Sequence, residues 1–168
     1  SADEAQMDVV ESAGRLVPGS RVDLLTNELV VVGRPGGALT SGDPATLASA
    51  RVGRIALGNP ESVPAGIYAR RWLETRGVWA AVSPKVVPTL SVRAALSAAR
   101  AGRVDAAVVY ATDARTEPAV PVIFAVPVAE APPIVYPAAV VDGPNREAAG
   151  RFVAYLRSAD ARAVFEAG

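Results

Sequence analysis

The chain has 168 residues, 51% of them hydrophobic, with 17 basic and 17 acidic side chains and a formal net charge of zero. That balance gives no electrostatic case for nucleic acid as a partner. The absence of both Cys and His removes thiol nucleophiles, disulfides, Cys/His zinc sites and imidazole acid–base chemistry together. The length suits one domain or two small lobes. No window reaches the ~20 apolar residues of a membrane span. The chain opens on Ser1 rather than Met, so a mature or shortened form is expected.

In chain order, residues 3–13 read as a helix with acids in its first turn and Gly14 where a C-cap belongs. A turn at Pro18-Gly19 leads to an extended piece over 22–25, and Glu28 to Val32 forms a stronger β-branched strand. A Gly/Pro loop follows, and Asp43-Pro44 starts a short helix running to about Ala48. Strand 54–57 leads through a turn into a helix that ends near Thr75 at Arg76-Gly77. A short strand over 85–87 precedes a helix from Val92 to about Ala101, capped by Thr89 or Ser91 and stopped by Gly102. Residues 105–110 read as a buried strand, and 120–126 and 135–141 as further strands that Pro121, Pro127 and Pro137 push toward sheet edges. Residues 145–156 form an amphipathic helix with Phe152, Val153 and Leu156 inward, and a last helix ends near Phe165. Strands alternating with helices place the chain in the α/β class with mainly parallel sheets.

The stretch Gly58-Asn59-Pro60-Glu61-Ser62-Val63-Pro64-Ala65-Gly66 is strand, tight turn and helix start. A helix's first turn carries N–H groups with no internal partner and roughly half a positive charge from the dipole. Pro64 suits the first turn, and small Ala65 and Gly66 let a ligand reach the backbone. The stretch is therefore either an anion cradle made of main chain or a plain strand-to-helix connection. Ligands in open α/β sheets sit outside the carboxyl ends of strands. There the segments after Leu57 and Val87 lead into Ala65 and Val92, and Tyr110 ends its strand. If these strands are neighbours, two helix N-termini and one phenol converge, all of them neutral donors suited to a fully ionised anion. The alternative for Tyr110 is a half-buried core tyrosine with its hydroxyl at the surface. Ser62 and Ser91 have no His to activate them. With no Walker loop, no G-x-G-x-x-G and no nucleophile elbow, no catalysis is expected.

Six blocks carry a family signal in order. They are Ser1 to Asp8, the G-[DN]-P-x-x-V-P-A-G-x-Y-A block from Gly58 to Ala69, Ser83 to Pro88, Val92 to Leu96, the V-Y-x-[ST]-D-A block around Tyr110, and Val135 to Val140. Together they resemble the periplasmic molybdate-binding proteins of ABC importers over nearly the whole chain. The resemblance implies a two-lobe α/β fold, with residues 28–112 as one complete lobe and residues 1–27 and 113–168 as part of the other. It implies a molybdate or tungstate ligand between the lobes, held by the N–H groups of Ala2, Ala65 and Val92 and the hydroxyl of Tyr110. It implies no cofactor and no metal ligand as such, since contacts are to oxyanion oxygens. Its partner is the membrane permease, and its place is periplasmic or extracytoplasmic, with a lipid anchor through an upstream N-terminus as one form.

The family begins well before the Ser1-Ala2-Asp3 block. The expectation is therefore a lobe lacking its N-terminal strands, helices and hydroxyl-bearing contacts, supplied by a separate segment or a second chain. Two alternatives stand beside transport: an oxyanion-sensing effector domain of a regulator, and a remnant that assembles with another chain through an open sheet.

Overall fold

Leu29–Gly33, a leucine, three valines and a glycine without a charge, form a strand buried at every position. The computed structural model describes residues 4–167. It divides into two units, residues 27–133 and residues 1–26 with 134–168. The larger unit holds β2 (Leu29–Gly33), α2 (Pro44–Ala48), β3 (Ile55–Gly58), α3 (Pro64–Thr75), α4 (Trp79–Val82), a 3₁₀ turn (Ser83–Lys85), β4 (Val86–Thr89), α5 (Val92–Arg100), β5 (Ala106–Tyr110), α6 (Ala111–Arg115) and β6 (Val122–Ala125). The smaller unit holds α1 (Glu4–Ser12), β1 (Val22–Thr26), β7 (Val135–Ala138), α7 (Arg146–Leu156) and α8 (Ala159–Ala167).

The larger unit is built on a five-stranded sheet of order β4-β3-β5-β2-β6. The pairs β3–β4 and β3–β5 are parallel, whereas β2 runs antiparallel to both β5 and β6. The expectation of mainly parallel sheets is thus corrected to a mixed sheet. Helical crossovers join β3 to β4 and β4 to β5, and a crossover returns a strand parallel to the one it left. β2 enters before these crossovers and β6 after them, so neither is under that constraint. Residues 113–133, expected with the other lobe, belong to this unit because β6 pairs with β2 through Val30↔Ala125 and Val31↔Phe124. Pro121 lies at the outer end of this edge strand, where its carbonyl accepts from Gly33 N–H at 2.9 Å and its missing N–H is harmless.

Alternation across the sheet feeds two layers. Val30, Val32, Ala107 and Val109 face α5 and α6 through Ala95, Leu96, Ala99 and Ala114. Phe124, the register partner of Val31, meets the fully buried Trp72 of α3 with ring centroids 6.0 Å apart. Asp105 closes the entry to the sheet, its Oδ2 accepting from Gly53 and Arg54 N–H at 2.9 and 3.0 Å. Lys85, the one lysine in the sequence, lies beneath α2. Its Nζ donates to the carbonyls of Leu47, Ala48 and Ser49 at 3.1, 2.9 and 2.7 Å, where a cation complements the negative end of the helix.

In the smaller unit β1 and β7 form a two-stranded antiparallel ribbon with an irregularity between Asp23 and Leu25. Arg21 ties α1 to the ribbon by reaching Asp8 at 2.6 Å and Glu11 at 2.5 Å. A groove of about 410 Å³ runs between α1, the ribbon and α7, lined by Met7, Val10, Leu16, Val141, Phe152 and Leu156 among others. Phe152, expected to point inward, is 60% exposed. It lines the open side of this groove, so helical periodicity picked its face correctly but not the cover over that face. The helices α4 and α6, each of four or five residues, are too short for a periodic signal and were not expected. No helix among the described residues is long and apolar enough to cross a membrane.

Candidate functional site

Because β4, β3 and β5 are adjacent and parallel, their carboxyl ends fall on one edge of the sheet. Three neighbouring strands span only about 10 Å. Gly58 ends β3, Thr89 ends β4 and Tyr110 ends β5. Gly58 and Thr89 are register partners, and Asn59 N–H donates to the Thr89 carbonyl at 2.8 Å just beyond them. The Thr89 hydroxyl lies 3.1 Å from the Leu57 carbonyl and 2.9 Å from that of Ser91, which fixes the two turns side by side.

The turn after β3 can be followed donor by donor. The Asn59 side chain accepts from Glu61 N–H at 2.9 Å. The Asn59 carbonyl accepts from Ser62 and Val63 at 3.2 and 2.9 Å. Pro64 has no N–H, and Ile67 N–H begins the helical ladder by donating to Val63 at 2.9 Å. Ala65 and Gly66 remain. Neither amide has an acceptor among the described hydrogen bonds, and the N-cap residue, Val63, offers no side-chain cap. Both residues are buried, Ala65 being 2% exposed. A buried helix start without partners asks for an acceptor from elsewhere. By contrast, α2 closes its own start with a capping box between Asp43 and Thr46.

α5 repeats the theme less severely. Ser91 is extended (φ −160°, ψ 162°), and its Oγ accepts from Ala94 N–H at 3.2 Å. The half-buried Val92 contributes the first N–H of the helix, which no described hydrogen bond engages. Tyr110 is half-buried at the end of β5, opposite Leu29 of β2, and is the N-cap residue of α6. Ala65, Val92 and Tyr110 therefore stand together at one edge of one sheet. Ala2 lies outside the described residues.

Charge at this edge is arranged in pairs. Arg93, next to Val92, lies 3.6 Å from Asp113, which is three residues after Tyr110. Arg70 of α3 lies 3.9 Å from Glu61 of the turn after β3, and reaches Glu74, one turn further from the edge, at 2.8 Å. Burial raises the Asp113 carboxyl above its ordinary range, against the pull of Arg93. Among the described residues no group of three carboxylates gathers as a metal site. What the edge offers is main-chain amides and a phenol at a dipole-positive surface, a chemistry of anion recognition without acid–base machinery.

The elements carrying Ala65, Val92 and Tyr110 lie where the sequence predicts them, but the contacts around them were only partly legible. The Asn59 turn was readable from an Asn two residues ahead of a backbone donor. The Arg93–Asp113 pair had no sequence signal, because only the packing of α5 beside α6 brings residues 20 positions apart together.

The profile of the family described as bacterial extracellular solute-binding protein matches residues 1–168. The chain belongs to this family. Its members are solute-binding proteins and not enzymes. The chain is 34% identical over 171 residues to the molybdate-binding protein ModA of Escherichia coli, with 99% of this chain and 66% of that protein aligned. It is 30% identical to a solved substrate-binding domain from Clostridium difficile assigned to a molybdenum ABC transporter, with a TM-score of 0.85 over 99% of this chain and 72% of that one. It is 24% identical to the periplasmic molybdate-binding protein of Azotobacter vinelandii, a likeness in fold with a TM-score of 0.82 over 99% of this chain and 74% of that one. The α/β fold of this chain is thus that of known binding proteins. The chain spans just under two thirds of the length of the curated relatives it matches.

Proposed function

We propose that this protein binds a tetrahedral oxyanion, molybdate or tungstate, and hands it to the membrane permease of an ABC importer outside the cytoplasm. The ligands from the larger unit are the N–H groups of Ala65 and Val92 and the hydroxyl of Tyr110. The Ala2 N–H is a fourth. No cofactor takes part, and the metal centre of the ion is met only through its oxygens.

The observation that carries this reading is the buried start of α3, where the turn consumes the Glu61, Ser62 and Val63 amides and leaves those of Ala65 and Gly66 without an acceptor. N–H and O–H donors favour an ion with every oxygen free to accept, so a protonated phosphate is a poor fit. Donors fixed to a sheet edge cannot close on a smaller ion, which sets molybdate and tungstate apart from sulfate. Similarity to proteins named for molybdate or molybdenum supports the choice of ion, and a similar protein named as a lipoprotein supports a lipid anchor as one form of attachment.

Titration calorimetry with molybdate, tungstate, sulfate and phosphate tests the proposal. The expected result is tight binding of the first two and weak or no binding of the others. Sulfate bound as tightly as molybdate would overturn the selectivity. No binding of any oxyanion, by this chain or by a longer form containing it, would overturn the function.

A further inference from the structure

Two opposite charges sit on the rim of the donor edge, each beside a proposed ligand group. Arg93 is the second residue of α5, directly after Val92, and Asp113 lies in the first turn of α6, just past Tyr110. They face each other at 3.6 Å. The Asp113 side chain is 15% exposed, that of Arg93 88%.

The acid is the fixed member. Its helix is pinned to the start of β2, with Ala111 N–H donating to the Glu28 carbonyl at 2.8 Å and Asn27 Nδ2 donating to the Thr112 hydroxyl at 2.9 Å. A desolvated carboxylate held this close to an anion site opposes every anion. An exposed guanidinium left to itself attracts every anion, whatever its size.

We propose that Arg93 and Asp113 are a charge-balancing pair that keeps the site electrically neutral, so that the oxyanion is held by directional donors and not by net charge. This inference rests on the oxyanion reading above. Neither residue touches the ion; both act through the field at Val92 and Tyr110. The other charges at this edge fit the same plan. Glu61 in the turn after β3 is answered by Arg70, and Glu28 is exposed to solvent, which screens it. A site balanced in this way binds its dianion with little dependence on salt, because no monopole is left to be screened. It also gives no general foothold to the many anions outside the cytoplasm that lack the right shape.

The test is molybdate titration at low and high sodium chloride for the unaltered chain, Arg93→Gln, Asp113→Asn and the double variant. Arg93→Gln is expected to weaken binding by about fivefold at low salt, and Asp113→Asn to tighten it by a similar factor. Both effects shrink at high salt, and the double variant returns to the unaltered affinity. A merely structural strut moves both single variants in the same direction and is not restored in the double, which would overturn the inference. It is overturned as well, by itself, if the unaltered chain binds molybdate and all four proteins share one affinity and one salt dependence. If the unaltered chain binds no oxyanion, the functional reading fails first and the charge-balance inference falls with it.

Discussion

Gly58 and Gly66 touch backbone to backbone. A Cβ on Gly66 would overlap the Gly58 carbonyl and come within 2.8 Å of the Asn59 carbonyl, and one on Gly58 would fall 2.5 Å from Val63 Cγ1. Neither glycine has a positive φ, so the reason is close approach and not conformational freedom. This contact seats the first turn of α3 on the end of β3 and brings the Ala65 amide to the sheet edge.

Gly66→Ala therefore forces the helix off the strand. Overpacking against backbone costs about 1–3 kcal/mol or more, read as a lower midpoint in urea unfolding. Molybdate affinity is expected to fall as well, since the donors move with the turn. Gly77→Ala provides the contrast. That position has φ 69° and open space around an added Cβ, so the strain there is local to the C-cap and oxyanion binding stays intact.

Val92→Pro removes one proposed donor with little change to the helix. Proline is favoured at the first helical position, and the preceding Ser91 already has the extended conformation that a following proline demands. Loss of one hydrogen bond to a charged ligand corresponds to about 1.5–3 kcal/mol, or at least a tenfold rise in dissociation constant by calorimetry. Unchanged affinity would remove Val92 from the ligand set. The matching change at Ala65 is less clean, because it would place a proline after the helical Pro64.

Tyr110→Phe deletes the single side-chain donor proposed from this unit. The same loss of about 1.5–3 kcal/mol in molybdate binding is expected. Normal binding by the variant would return Tyr110 to the role of a half-buried core tyrosine.

Two aspartates give opposite pH signatures. Asp43 is held below its ordinary 3.8 by hydrogen bonds from Thr46, first from its backbone and then its side chain. Its contribution is present above 3.8 and lost as pH falls through the lowered folded value. Asp113 is raised above 3.8 by burial, so its contribution is complete below 3.8 and lost as pH rises through the raised folded value. In thermal melts across acid to neutral pH, the melting temperature of Asp113→Asn relative to the unaltered chain should climb with pH. That of Asp43→Asn should decline. Parallel curves for the two variants would contradict both assignments.

Much of the site was legible because its chemistry is local. Pro64 ahead of two small residues, a Ser before Val92 and an aromatic ending an apolar run each state their element in a few adjacent residues, and all three elements formed where expected. The short helices α4 and α6 were not legible, since a single turn carries no period. Phe152 shows the limit of periodicity: a helix face can be read from spacing, but its covering depends on chain that lies elsewhere.

By itself the sequence determined that this protein lacks thiol and imidazole chemistry, that strands alternate with helices, and that helices start just past two of the strand ends. Tertiary structure alone decided that these starts share an edge. Strand order is a matter of which hydrophobic faces bury each other, and those pairings join β4 to β3 and β3 to β5 across long stretches of chain. It also decided that residues 113–133 stay with the larger unit, that Gly58 and Gly66 meet, and that Arg93 finds Asp113. The pairing of β6 with β2 and of Arg93 with Asp113 joins residues distant in sequence, where only packing chooses the partner, and the Gly58–Gly66 contact depends on how the turn between them folds.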